Sequence, residues 1–431
     1  MNTQKSLCIG LSLSPTWLST KNEKNQDVNK ALILSLPYYM NLAKRAEVAK
    51  LDFLFRPDAL FLNIDILNQS PAFGGLDPSI LIAAIAQETD YIGFISTLST
   101  LFYPPFIAAR QLQSLNWITQ GRIGWNIVTA LKGQENFGQK VLPDSQERYE
   151  IAKEFTQILE ALWQSYPHSS LENKGRADRV QQPIKPIEHQ GCFFEVQGPL
   201  NIPAYPAKIP YFQAGASEAG RDFAASTADG IFAATPDIDS AIEFRRDIRE
   251  RAQQMGRDVN SIRVLPGLSF YIAATREEAY QCFEQQHTTP DFNRQFRYIE
   301  SLIGINLSSL SLDTIVTEAM IQTDFNSSYS QTHAQLLRRF ICRNQPTVKA
   351  LLASPEVNGS AHWRIIGTVD DMVNEIENWS ACQACDGFIA LPCGSEQSLN
   401  LFLEQVIPKL QEKGLFRQDY QEQSLWERLR G

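Results

Sequence analysis

An α/β fold, a TIM (β/α)8 barrel with two insertions, is what this sequence predicts, and three observations predict it. Eight short apolar, β-branched runs recur along the chain, as a parallel sheet buried on both faces requires. Longer amphipathic segments separate most of them, the alternation of βα units. The eight strands and eight helices pair off, which suits a closed barrel better than an open doubly wound sheet.

The strand runs are, in order, "SLCIGLSL", "LDFLFRPD", "DYIGFISTLS", "RIGWNIVT", "KIPYFQAG", "GIFAAT", "IRVLPGLSFYIA" and "DGFIALPC". Helical patterns follow as "YYMNLAKRAEVAK", "PSILIAAIAQET", "FIAARQLQSLNWI", "ERYEIAKEFTQILEALW", "EAGRDFAASTA", "IDSAIEFRRDIRERAQQMG", "EEAYQCFEQQH" and "VDDMVNEIENWSA". Two stretches break the repeat. Residues 164–208 are polar, rich in Pro and Gly, and contain one hairpin pattern; residues 289–361 have little strand character but several apolar helical turns. Insertions that long in a compact unit read as lids or interface elements. The whole chain, 1–431, therefore reads as one embellished barrel domain.

Bulk composition narrows the function. The formal charge is −9, which argues against nucleic acid or an anionic membrane as the main partner. The N-terminus lacks a signal-peptide core and no run reaches the length of a membrane span, so a cytoplasmic setting is expected. Seven irregularly spaced cysteines suit reduced thiols. The Cys382–Cys385 pair has no second pair and no nearby histidine to complete a metal set, so packing thiols and no metal are expected.

In such a barrel chemistry belongs at the C-terminal strand ends. Those ends carry Asp58, Thr97, Asn126, Thr129 and the stretch Gly215 to Ser217. No nucleophile elbow, metalloprotease helix motif, Walker loop or paired carboxylates stand there, which excludes the common hydrolase and metal-enzyme layouts. The set suits holding a polar, phosphorylated heterocycle that brings its own reactivity. In "QAGASEAGRDF" small residues join a strand to a helix, so the helix's first N–H groups can meet an anion; a plain N-cap at Ser217 is the structural alternative. Asp58, Asn126, Thr129 and Tyr149 likewise have local capping or packing explanations when taken singly.

"GRIGWNIVTA…ENFG", followed by "ERYEIAKEF…ALW", resembles the bacterial-luciferase-like flavin-dependent monooxygenases. More narrowly it is similar to the subgroup with the nitrilotriacetate, EDTA, dibenzothiophene-sulfone, pristinamycin and long-chain alkane monooxygenases. "FFEVQGPLNIP…IPYFQAGASEAGRDFAASTADGIF", "RIIGTVDDMVNEIENW…DGFIALP" and "VIPKLQEKGLFRQDY" carry the same resemblance, which runs from about residue 5 to residue 425. It implies a TIM barrel binding reduced FMN supplied by a separate NAD(P)H:flavin reductase. Dioxygen would add to give a flavin 4a-hydroperoxide, which inserts one oxygen atom into a small organic substrate while the other leaves as water. It also implies a homodimer or homotetramer.

By position, the resemblance places Asp58 and Thr97 along the flavin and Asn126 and Thr129 near its ring or ribityl chain. Tyr149 falls on a flavin-contacting tyrosine, and Ser217, Glu218 and the amides around Gly215 and Gly220 on the phosphate. Trp17, Phe61, Phe102 and Tyr103 are the candidate apolar walls. The "LKGQE" segment is shorter than in the family, so no catalytic histidine transfers there. Of five histidines, His189 reads as structural, and His333 is the candidate to face the flavin. A deazaflavin-dependent oxidoreductase and a non-catalytic flavin-binding protein are the competing readings.

Overall fold

The computed structural model describes residues 6–15, 32–62, 75–171, 183–287, 292–322, 325, 331–358 and 360–431. Eight parallel strands close a barrel: β1 Cys8–Ser12, β2 Phe53–Arg56, β3 Gly93–Ser99, β4 Ile123–Val128, β7 Tyr211–Gln213, β8 Gly230–Ala233, β9 Arg263–Ile272 and β11 Gly387–Pro392. Between β4 and β7 a two-stranded hairpin, β5 His189–Gln190 and β6 Glu195–Val196, lies in the first insertion. These eight barrel strands fall within the eight runs read from the sequence.

A further strand, β10 Trp363–Gly367, was not among those runs. β9 explains how it fits. With ten residues, β9 offers one edge to two partners: Arg263–Pro266 pair with β8, and Leu268–Ile272 pair with β10. Its other edge pairs with β11. The barrel is closed below, and β10 extends the sheet above.

The barrel interior is filled by Phe53, Phe55, Ile95, Phe212, Leu265 and Ile389, all nearly inaccessible. Phe53 and Phe212 meet edge to face at 5.1 Å, a favoured aromatic geometry. The C-terminal helix Leu425–Arg430 closes the N-terminal end. Its Leu425 and Leu429 join the interior cluster, Arg428 Nη1 donates to the Asp52 carbonyl at 2.9 Å, and Arg263 Nε donates to the Leu429 carbonyl at 2.8 Å. With that end plugged, the opposite mouth is left for a ligand.

The larger part of the second insertion has its own apolar cluster, built on Leu302, Ile303, Val316, Leu337, Ile341 and Leu351. Helices Phe292–Ile303 and Gln331–Asn344 carry most of it. Arg343 bonds Asp239 at 2.5 Å and Arg339 pairs with Glu243, joining this layer to the barrel helix Ile238–Gln254. The first insertion is fastened differently. Glu154 accepts His189 Nε2 at 3.0 Å and the backbone N–H groups of Cys192, Phe193 and Phe194; although burial works against it, these contacts keep the Glu154 carboxyl below its ordinary pKa. His189 thus pins the hairpin. Among the described residues no helix is long and apolar enough to cross a membrane.

Candidate functional site

At the C-terminal mouth lies a cavity of about 580 Å³, within the range for small-molecule and cofactor sites. Its floor comes from strand ends: Thr97 and Ser99 of β3, Ile127 and Val128 of β4, Gln213 of β7. One wall is the helix Ser145–Ser165, through Ser145, Arg148 and Tyr149. The second insertion supplies Tyr298, Gln331, Thr332 and His333. Phe61, Phe102 and Tyr103 form apolar walls, as expected of them; Trp17 lies outside the described residues.

Tyr149 is the hub of the polar end. Gln213 Nε2 donates to its hydroxyl at 3.1 Å, and the hydroxyls of Thr129 and Ser217 meet it too. Burial raises the phenol's pKa despite these bonds, so it stays protonated. The glycines are explained by the same ring. A Cβ on Gly215 would stand 2.0 Å from the Tyr149 hydroxyl, and one on Gly220 2.7 Å from it. Only residues without a side chain let the tyrosine reach this junction.

Ser217 is the N-cap of helix Glu218–Thr227, accepting the Gly220 N–H at 3.2 Å. The structural alternative for Ser217 is therefore realised, yet Ser217 also lines the cavity. The N–H groups of Glu218 and Ala219 have no intrahelical acceptor by helix geometry and carry the positive end of the dipole. The Gly220 amide is already used by the cap.

Not every residue read from the sequence meets the cavity. The Glu218 side chain is 78% exposed and bonded to Arg251 at 2.6 Å, and it is not among the lining groups. A carboxylate beside a phosphate would repel it, and the arginine draws it off. Asn126 lies just beneath the floor. Its Nδ2 donates to Thr97 Oγ1 at 3.1 Å, and Thr97 in turn donates to the Arg56 carbonyl at 2.7 Å. That chain fixes the Thr97 hydroxyl, while Asn126 Oδ1 is buried without a partner. Asp58 also lines the cavity; burial raises its carboxyl pKa, with Asp77 adding to the effect, against the Ala59 N–H and Arg56.

His333 lines the cavity, with Nε2 3.1 Å from the Ser360 carbonyl, and desolvation lowers its pKa below 6.5. Arg148, Lys132 and Gln213 also line the cavity and were missed. Arg148 stands beside Tyr149 in "ERYE", Gln213 opens "QAGASEAG", and Lys132 lies in the short "LKGQE" loop, so each sat inside a quoted motif. Elsewhere, Cys385 is buried and its thiol is pushed up to about 12 by desolvation. Cys382 is exposed rather than packed, which corrects that expectation. Among the described residues no cluster of His, Cys, Asp and Glu is arranged to hold a metal.

The cavity fits a flavin mononucleotide in its donor set. A helix N-terminus, three hydroxyls and an arginine gather about Tyr149, glycines make room for it, and apolar side chains including Phe61 and Phe102 line the rest. A closed parallel barrel with a polar-ended cavity at the C-terminal strand ends is the layout of a TIM-barrel enzyme. Residues 15–314 match the luciferase-like monooxygenase family, and the chain belongs to that family.

It is 32% identical to N-acetyl-S-(2-succino)cysteine monooxygenase of Bacillus subtilis (strain 168), over 98% of this chain and 96% of that one. Nitrilotriacetate monooxygenase component A of Aminobacter aminovorans is also 32% identical, over 91% and 89%. Among solved structures, riboflavin lyase with modified FMN and riboflavin superposes with a TM-score of 0.83 at 29% identity, covering 99% of this chain and 96% of that one. The chain is accordingly an oxidoreductase of the monooxygenase kind.

Proposed function

We propose that this chain is the oxygenase of a two-component system, taking reduced FMN from a separate NAD(P)H:flavin reductase and using dioxygen to put one oxygen atom into a small organic substrate. Bound reduced FMN supplies the electrons and activates dioxygen, the second oxygen atom leaving as water. The observation that carries this reading is the convergence of Tyr149, Thr129, Ser217 and Gln213 on the N-terminus of helix Glu218–Thr227.

In this reading Ser217, the Glu218 and Ala219 amides, Tyr149 and Arg148 hold the phosphate. Thr129 and Thr97, the latter fixed by Asn126, face the ribityl chain and ring, and Asp58 lines the flavin as well. Phe61, Phe102 and Tyr103 keep water from the reacting end, and His333 exchanges a proton there. The apolar walls suit an apolar or sulfur- or nitrogen-bearing substrate. Relatives named for N-acetyl-S-(2-succino)cysteine and nitrilotriacetate, compounds containing sulfur or nitrogen, support that class. A component A relative supports a separate reductase, and we place the pair in the cytoplasm, with this chain as a homodimer or homotetramer.

The test is anaerobic titration with reduced FMN, then mixing with isotopically labelled dioxygen over a panel of thioethers, amines and alkanes. One labelled atom per product molecule is expected. Flavin that binds and reoxidises with no product from any of them would reduce the chain to a flavin-binding protein.

A further inference from the structure

The turn that leads into β10 is held in an uphill conformation. Ser360 and Ala361 have φ of 52° and 54°, left-handed values that cost any residue with a Cβ free energy. Something must hold them there. Ala361 is fully buried and donates its N–H to the Pro355 carbonyl at 2.9 Å. The larger anchor is the next residue. The His362 ring stacks on Phe232, centroids 5.0 Å apart and planes 15° from parallel, and one ring nitrogen bonds the Ala233 carbonyl at the end of β8.

Nδ1 of the His362 ring is buried without a partner. The slot exists because position 267 is glycine. A Cβ there would lie 2.6 Å from His362 Nδ1 and 2.6 Å from Phe232 Cε2. An orphaned ring nitrogen and two left-handed residues oppose this arrangement, so it reads as a constraint kept for position rather than for stability.

What it positions is the Ser360 carbonyl. That oxygen only accepts, and His333 Nε2 lies 3.1 Å from it, so Nε2 carries the proton and Nδ1 is the acceptor nitrogen. We propose that His362, wedged against Gly267, is a positioning residue that holds the Ser360–Ala361 turn and so fixes His333 as the Nε2–H tautomer at the flavin cavity. For its catalytic consequence this rests on the oxygenase reading; for the tautomer it does not. Desolvation, the neighbouring His333 and the opposing Ala233 bond leave His362 itself with a pKa of about 4, a neutral wedge at working pH.

The test is ring-nitrogen NMR of the flavin-free protein, wild type against Gly267→Ala and His362→Phe. Wild-type His333 should be the Nε2–H tautomer, and both substitutions should bring in the Nδ1–H form. In turnover with reduced FMN, His362→Phe should lower kcat about as far as His333→Ala. The double variant should be no worse than His333→Ala alone, with FMN affinity within about twofold of wild type. His362→Asn, which keeps an N–H toward Ala233, should recover part of the loss, and it also serves should the phenylalanine variant not fold. An unchanged His333 tautomer in Gly267→Ala, or losses that multiply in the double variant, would overturn the proposal. Absence of turnover in the wild type would instead count against the oxygenase reading and leave the NMR result standing.

Discussion

Ser217 has two employments that can be separated. As N-cap it accepts the Gly220 N–H, and removing such a cap costs about 1 kcal/mol. As a cavity-lining hydroxyl beside Tyr149 it would also donate to the phosphate, a bond to a charged group of about 1.5–3 kcal/mol. Ser217→Ala should therefore lower stability by about 1 kcal/mol in denaturant titrations and weaken FMN binding roughly tenfold or more. Ser217→Asp restores the cap but repels a phosphate, so it should recover stability while binding FMN worse still; matching affinities in the two variants would remove Ser217 from the phosphate site. Gly215→Ala is sharper. Its methyl would sit 2.0 Å from the Tyr149 hydroxyl and 2.3 Å from Gln213 Nε2, so ring and amide must both retreat. FMN affinity should fall more than tenfold, on the order of two lost hydrogen bonds, and overpacking the buried Tyr149–Gln213 contact should also lower stability by about 1–3 kcal/mol. The sequence made the need for small residues at 215–220 legible. It could not say that Tyr149, 64 positions before Gln213, was the reason, because that approach exists only once helix and strand are packed.

At the scale of elements, the phosphate end depends on how helix Glu218–Thr227 is held against helix Ile238–Gln254. Arg251 bonds Glu218 and Asp222 at 2.6 Å each and Asp247 at 3.0 Å, and Arg221 joins the same Asp247 at 2.9 Å. Most of these carboxylates are well exposed, which limits the network's value to about 1 kcal/mol. Its effect on binding is more specific. Freed from Arg251, the Glu218 carboxylate sits in the first turn beside the phosphate position. Arg251→Leu should thus weaken FMN binding about 2- to 5-fold, the size of a charge effect at a helix end, and Arg251→Leu/Glu218→Gln should restore it. Persistence of the defect in the double variant would mean that the helix itself has shifted. This correction to Glu218 was illegible beforehand: its partner lies on another helix, and "SEAGRDF" reads equally well with the carboxylate turned either way. The strands were legible because each is a short, mostly apolar run buried along nearly its whole length. β10 was not, since Trp363–Gly367 alternates buried and half-buried residues around an arginine and pairs on only one side.

For the molecule as a whole, the barrel mouth and the second insertion meet over two histidines, and that makes stability depend on pH in a defined window. In the unfolded chain His362 takes up its proton near 6.5, whereas in the folded protein burial, His333 and the Ala233 contact set its pKa at about 4. Between those values the unfolded state binds more protons, so stability must fall as pH falls from about 6.5 toward 4 and change no further for this group below that. Above 6.5 both states are neutral there and the group contributes no slope. At about 1.4 kcal/mol per unit, the loss between pH 7 and pH 5 is roughly 2 kcal/mol from His362. His333, lowered in the same direction by burial, adds to the slope, so wild type alone does not isolate the wedge. The comparison that does is urea unfolding from pH 7.5 to 4.5 for wild type, His333→Gln and His362→Gln. The His362 variant should lose most of the acid sensitivity and His333→Gln only part of it. If wild type and His362→Gln ran parallel through the window, the ring would be taking up its proton in the native state. The slot under Gly267 would then open at ordinary acidity, and His333 would have no fixed carbonyl to face.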